Sequence, residues 1–227
     1  MKEWMRKELE TYSKDYALKR LKQSLCVWSS LPEKRQKKAD DLMVRLLSII
    51  PEDVSVEKKV ALLYWSLSSQ IRYDKEGVGK RAMPYTMLGA LYNRKAVCMG
   101  LAELFSYMCY LLEIPAVTVI GYYDSRPGQP DDPDEEPDKH GPHAWNMVRL
   151  SDGRYYHLDL AGDLHTPNPH WRPGHFLKSD AQMRNYYWLP EDYPKADRAY
   201  PEQIRISQKG VDLFCQHWQA LAKQLAG

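Results

Sequence analysis

Apolar residues recur three or four apart over long stretches of this chain, the spacing that places them on one face of a helix. Met5, Leu9, Tyr12 and Tyr16, then Leu18, Leu21 and Leu25, predict an amphipathic helix between Trp4 and Trp28, with Lys and Arg on its other face. Leu42 to Ile50 predicts a second helix stopped by Pro51, and Val56, Val60, Leu63, Leu67 and Ile71 mark a third. Thr86 to Tyr92 is a short apolar helical stretch. From Cys98 to Leu112 nearly every position suits burial, with Leu101, Leu104, Phe105, Met108, Leu111 and Leu112 on the apolar face, so this helix is expected at the centre of the core. A last amphipathic helix runs over Val211, Phe214, Cys215, Trp218 and Leu221.

After Pro115 the pattern changes. The β-branched run Val117-Thr118-Val119-Ile120, bounded by Gly121, predicts a strand. His143 to Leu150 and Arg154 to Leu160 predict two more, joined as a hairpin by Ser151-Asp152-Gly153. Between these strands, Asp124 to Pro142 holds five prolines and seven acidic residues with almost nothing to bury, which predicts a surface loop. It lacks the ligand spacing and central Gly of an EF-hand, and its charge makes it a candidate lid or selector of basic substrates.

Composition narrows the function classes. The 32 Lys and Arg nearly cancel the 30 Asp and Glu, so no whole-molecule field points to nucleic acid or an anionic membrane. Residues 2 to 38 carry eleven basic and five acidic side chains, read as a solvated helix face because no nucleic-acid motif accompanies them. The N-terminal MKEWMRKELE has no signal-peptide core and no segment reaches the roughly 20 apolar residues of a bilayer span, so a cytoplasmic protein with no membrane partner is expected. Cys26, Cys98, Cys109 and Cys215 form no CxxC pair, so free thiols are expected. Cys98 and Cys109 fall on one helix about 16 Å apart, too far for a disulfide.

One of these thiols sits where chemistry could use it. Cys98 follows a loop and opens the most hydrophobic helix, where the helix N-terminus lowers a thiol pKa and the backbone N–H can face an oxyanion; Cys109, buried mid-helix, is expected to be inert. His143 starts a strand at the mouth of the sheet, and Asp159 lies on the partner strand. A helix-borne Cys facing a strand-borne His and Asp is the arrangement of a nucleophile, its general base and the carboxylate that orients the base.

Whether His143 and Asp159 can meet is decided by hairpin parity. A two-residue loop would set 143 opposite 162 and turn Asp159 to the wrong face. A three-residue loop, Ser151 to Gly153, pairs Leu150 with Arg154, sets 145 opposite 159 and makes His143 a diagonal same-face neighbour of Asp159. That loop needs φ>0 at Gly153.

The residues around these positions carry a resemblance. Leu88-Gly89-Ala90-Leu91-Tyr92-Asn93-Arg94-Lys95-Ala96-Val97-Cys98-Met99-Gly100-Leu101-Ala102, with Leu111-Leu112-Glu113-Ile114-Pro115 after it, resembles the cysteine motif of bacterial transglutaminase-like proteins. His143-Ala144-Trp145-Asn146 and Tyr156-His157-Leu158-Asp159 resemble that family's histidine and aspartate motifs. The chain departs from the pattern after Asp159, where Leu160-Ala161-Gly162-Asp163 follows. The resemblance implies an α+β, papain-like core with the Cys98 helix packed on an antiparallel sheet. The resemblance covers roughly residues 55 to 165, and with the helical patterns on either side the expected division is an N-terminal helical extension over 1–54, the core with a C-terminal elaboration over 55–202 and a packed C-terminal helix over 203–227.

The same resemblance implies cysteine-dependent acyl transfer on amide bonds, as a peptidase, amidase or transglutaminase, with Cys98, His143 and Asp159 as the triad and no cofactor. Hydrolysis is favoured, since no calcium-site pattern of the cross-linking animal enzymes is evident. The expected partner is a protein or peptide substrate, cell-wall peptide among the candidates. Tyr85 is a candidate oxyanion donor, and Trp145 and Tyr122 are candidates for lining the substrate cleft. The competing reading is a non-catalytic protein-interaction module on the same fold. Histidines 140, 143, 157, 165, 170 and 175 gather near Asp159 and Asp163, but their spacings match no zinc motif, and no metal is expected.

Overall fold

The computed structural model describes residues 33–80, 83–124, 140–164, 174–202 and 204–226. The helix expected between Trp4 and Trp28, Cys26, most of the acidic loop, His165 and His170 lie outside the described residues. Helix α1 spans Glu33–Leu47. It begins before Leu42 because Glu33 to Lys38 are good helix formers that carry no apolar signal. Helix α2 (Val56–Gln70) is capped by Ser55, whose hydroxyl accepts from the Lys58 N–H. It buries Val60, Leu63, Tyr64 and Leu67.

Strands β1 (Arg72–Tyr73) and β2 (Lys95–Ala96) form a short parallel pair, and α3 (Cys98–Leu111) follows directly. Strands β3 (Ala116–Asp124), β4 (His140–Arg149), β5 (Tyr155–Leu158) and β6 (Tyr186–Tyr187) form an antiparallel sheet in the order β5-β4-β3-β6, and α4 (Gln208–Ala226) closes the chain. Among the described residues no helix is long and apolar enough to cross a membrane.

The alternation of β-strand side chains divides the sheet between two cores. Ile120, Ala144, Asn146, Val148, Tyr156 and Leu158 share one face, the face on which α3 packs. Beyond α3, Leu42, Met43 and Leu46 of α1, Leu63 and Leu67 of α2 and Phe214 and Trp218 of α4 join Leu104 and Phe105 in one buried cluster. The first and last described helices thus share a core with α3 rather than sitting apart from it. On the other face, Val119, Trp145 and Met147 pack against Met183, Tyr186 and Ala196 from the segment after residue 174.

Asn146 ties the helix to the sheet. Its side-chain amide donates to Ala102 C=O at 2.9 Å and to Ser106 Oγ at 2.8 Å, both on α3. Asn146 is fully buried, so Asn146→Ala removes two buried hydrogen bonds and the packing of the side chain, and should lower stability by about 1–3 kcal/mol. A thermal or urea melt measures it; an unchanged midpoint would mean that packing alone holds α3 in place.

Candidate active site

Cys98 is held in place by the backbone that precedes it. Arg72 N–H donates to Arg94 C=O, Asp74 N–H to Ala96 C=O and Val97 N–H to Pro84 C=O, so the chain entering α3 is fixed from both sides. A Cβ on Gly100 would lie 2.5 Å from the Pro84 oxygen and 2.8 Å from that of Thr86, so only glycine lets α3 approach this loop so closely. Val97, the residue that starts the helix, offers no side-chain cap. The first N–H groups of α3 therefore keep their positive end beside the thiol.

The hairpin delivers the other two residues. Gly153 has φ +78°, its N–H donates to Leu150 C=O, and Leu150 N–H donates to Arg154 C=O, which is the three-residue loop that parity requires. The register pairs Asn146 with Leu158 and Met147 with His157, which puts His143 and Asp159 on one face. His143 Nε2 lies 2.7 Å from Asp159 Oδ2. Because Leu150 N–H points toward β5, so does every second N–H along β4, Ala144 included. Strand β5 ends at Leu158, and at this open edge the Cys98 sulfur takes up the Ala144 N–H and the His143 imidazole. With Nε2 engaged by Asp159, Nδ1 is the nitrogen that meets the sulfur.

Electrostatics follow from this contact. Burial pushes the Cys98 thiol up, but the hydrogen bond and charge of His143 outweigh it and hold the thiol below its ordinary value. Burial disfavours a charged His143, yet the Asp159 carboxylate and the Cys98 thiolate push its pKa up to about 10. The pair thus favours thiolate and imidazolium. Burial alone pushes the Cys109 thiol far above its ordinary value, and burial also raises Cys215.

Asp159, 1% exposed, accepts two further hydrogen bonds: Tyr186 hydroxyl donates to Oδ2 at 2.7 Å and Ala161 N–H to Oδ1 at 2.9 Å. A second pair stands behind it. Asp163 accepts from the Tyr64 hydroxyl at 2.6 Å and from His175 N–H at 3.0 Å, and the His175 ring lies 3.1 Å from its other oxygen. Burial and the Asp163 charge keep Tyr64 protonated, and burial and the Asp159 charge do the same for Tyr186.

Trp145 does not line a cleft, contrary to the sequence expectation. It is fully buried, stacks on the His143 ring at 6.0 Å and donates from Nε1 to His157 Nδ1 at 3.0 Å. His157 Nε2 then donates to Asp180 Oδ1 at 2.8 Å. Burial lowers the His157 pKa and favours the neutral ring, so the chain of donors runs one way and holds the indole against the His143 imidazole. Tyr122 is half-buried and pairs with Pro142 and Tyr187 on the face opposite His143. Tyr85 packs in the cluster that contains Cys98, and its hydroxyl accepts from Gly79 N–H at 2.8 Å.

The cleft beside His143 and Asp159 has a volume of about 350 Å³ and is lined by Tyr73, Lys75, Tyr123, His175 and Tyr186. Sequence reasoning missed Tyr73, Lys75 and Tyr186. Strand parity alone could have placed His157 on the Trp145 face, but the pairing of Asp163 with His175 joins segments that no local pattern connects. Among the described residues no group of three His, Cys, Asp or Glu is placed to hold a metal; His143, His157 and His175 each face one carboxylate instead.

No curated protein matches the chain. Among solved structures it is similar to the crystal structure of a TGase, at 19% identity and a TM-score of 0.46 over 66% of this chain and 38% of that one. It is also similar to a candidate cysteine protease from Cytophaga hutchinsonii, at 17% identity and a TM-score of 0.40 over 59% of this chain and 44% of that one. The match thus spans less than half of either relative. The sequence model of the transglutaminase-like superfamily matches residues 48–160, a span that holds Cys98, His143 and Asp159. By that match, and with its α+β core, the chain belongs to the transglutaminase-like superfamily.

Proposed function

We propose that this protein is a cysteine-dependent acyl-transfer enzyme acting on amide bonds of a protein or peptide substrate. Cys98 attacks the carbonyl carbon, His143 gives its proton to the departing nitrogen, and Asp159 holds the imidazole in the tautomer and orientation this needs. The thioester is then released by water or by an amine. The observation that carries the reading is the His143 Nε2 to Asp159 Oδ2 contact at 2.7 Å, on an imidazole near enough to the Cys98 thiol to lower its pKa. The N–H groups opening α3 supply backbone donors for the oxyanion, and Tyr85, packed in the same cluster, is the candidate side-chain donor.

Iodoacetamide labelling read by mass spectrometry tests the activated thiol. At pH 6 Cys98 should react at least about tenfold faster than Cys215, and the gap should narrow as pH rises and ordinary thiols ionise. Equal rates at pH 6 would remove the thiolate–imidazolium pair and leave an interaction module in front.

A further inference from the structure

The stretch Leu160-Ala161-Gly162-Asp163 brings the Asp163 carboxylate beside His175, whose side chain forms part of the cleft wall. Asp163 is 3% exposed and stands behind His175 rather than in the wall. Its oxygens accept from Tyr64, from the backbone N–H groups of Gly174 and His175, and from His175 Nδ1. That leaves Nε2 as the His175 nitrogen without a hydrogen-bond partner among the described residues, on a side chain that is 30% exposed. Burial opposes a charge on His175, but the Asp163 hydrogen bond and the Asp159 charge raise its pKa and favour the imidazolium.

Charge and position together narrow what this cleft can take. Among the described residues that line it, Lys75, His143 and His175 are cationic or protonatable, against one carboxylate, Asp159, whose oxygens already serve His143, Tyr186 and Ala161. The remaining described wall comes from Tyr73, Tyr123 and Tyr186 together with Ala161, Gly162 and Leu164. The cleft borders the His143 ring, and Cys98 is not among its lining residues. In acyl transfer the acyl carbon is bonded to sulfur while the nitrogen exchanges its proton with the imidazole, so a cleft beside the imidazole serves the amine side of the bond.

We propose that this cleft is the amine-side subsite and takes amines that bear a carboxylate, such as an amino acid or the C-terminal residue of a peptide. His175 Nε2–H and Lys75 hold the carboxylate and the tyrosines flank the side chain. This rests on the acyl-transfer reading above. In the forward step the Cys98 sulfur bonds the acyl carbon, the C–N bond breaks and the His143 proton goes to the leaving nitrogen. In the reverse step an amine seated in the cleft attacks the thioester, passes its proton to His143 and expels the thiolate.

The test uses the full chain acylated with p-nitrophenyl acetate and then challenged with L-phenylalanine or L-phenylalaninamide at equal concentrations of unprotonated amine. The N-acetyl products are quantified, and the ratio of the two is divided by the ratio found with S-acetylglutathione free in solution. The expected result is a preference for phenylalanine of about tenfold or more, the size of one charge-assisted hydrogen bond. His175→Asn, whose amide nitrogen can take the place of Nδ1 toward Asp163 while leaving no donor at the Nε2 position, should bring the ratio down by about fivefold or more. Lys75→Met, on an exposed turn, should lower it independently of any folding defect in the first variant. A normalised ratio near one, or a ratio that neither variant changes, overturns the subsite while acetylated Cys98 keeps the triad. Failure of Cys98 to acetylate removes both readings.

Discussion

Cys98→Ala is expected to abolish acyl-enzyme formation and to lower kcat/KM by roughly 10⁴-fold or more, as loss of the nucleophile does in a triad enzyme. The loss should be chemical rather than structural. Cys98 is half-buried at the start of α3, and the bonds that position it run through the backbone of Val97, Ala96 and Arg94, which the substitution leaves intact. Cys98→Ser should be almost as inactive, because a hydroxyl of ordinary pKa cannot form the ion pair that a lowered thiol forms with His143. Cys215→Ala is the matched control: Cys215 lies on α4, touches Ser69 at 3.4 Å and is held protonated by burial. Intact-mass measurement after an activated ester gives the readout. Acylation persisting in Cys98→Ala would move the nucleophile elsewhere.

Much of this site was legible because strand parity is strict. One glycine at position 153 chooses a three-residue loop, that loop chooses the register, and the register brings His143 and Asp159 to one face. The entry of Cys98 at the head of a core helix was legible for a similar reason, since a loop followed by a fully apolar helix leaves the first turn as the place where a buried helix meets solvent. The surroundings were not legible. Trp145 looked like a cleft aromatic because its apolar bulk and its position beside His143 are all that one strand reveals. Its burial comes from Met183, Tyr186 and Ala196, some forty residues downstream, and its N–H partner is a buried histidine. The start of α1 was missed because a polar first turn leaves no apolar period to read. Asp163 and His175 were visible as members of a crowd of histidines, but which carboxylate each would face depends on the path of the chain between them.

Among the described residues three histidines of that crowd each face one carboxylate, and the pairs differ in burial. His157 with Asp180 has no exposed histidine surface, burial favours the neutral ring, and the pair orients Trp145. His175 with Asp163 is partly exposed and favours the charged ring. Only His143 lies between a carboxylate and a thiol. The same two side-chain types thus sit in three different environments, according to what lies on the imidazole's second nitrogen.

Asp159→Asn should lower kcat by roughly 10³–10⁴-fold while leaving Cys98 in place, since the orienting carboxylate sets the histidine tautomer. The hydrogen bonds around Asp159 make the substitution worse than a simple loss of charge. Oδ2 accepts from His143 and from Tyr186, and Oδ1 accepts from Ala161 N–H. An amide has one acceptor where the carboxylate has two. With its oxygen toward His143 and Tyr186, the Asn NH₂ meets the Ala161 N–H; turned the other way, it meets the Tyr186 hydroxyl and forces the His143 proton onto Nδ1, the side that faces Cys98. Either arrangement leaves a buried donor unpaired, so a stability loss of about 1–3 kcal/mol should accompany the activity loss.

The two effects separate by pH. Burial raises the Asp159 pKa, but the His143 charge outweighs it and holds the carboxyl below its ordinary value, so its stabilisation is present above the unfolded-state pKa and is lost as pH falls through the folded one. The stability gap between wild type and Asp159→Asn should therefore be widest near neutrality and shrink below about pH 4. The activity gap should persist wherever the wild type is active. Urea melts at pH 7 and pH 3.5 beside single-turnover acylation at pH 7 make the comparison. A stability gap that does not shrink on acidification would mean that Asp159 is not held as a carboxylate by His143, and near-wild-type acylation would remove it from the triad.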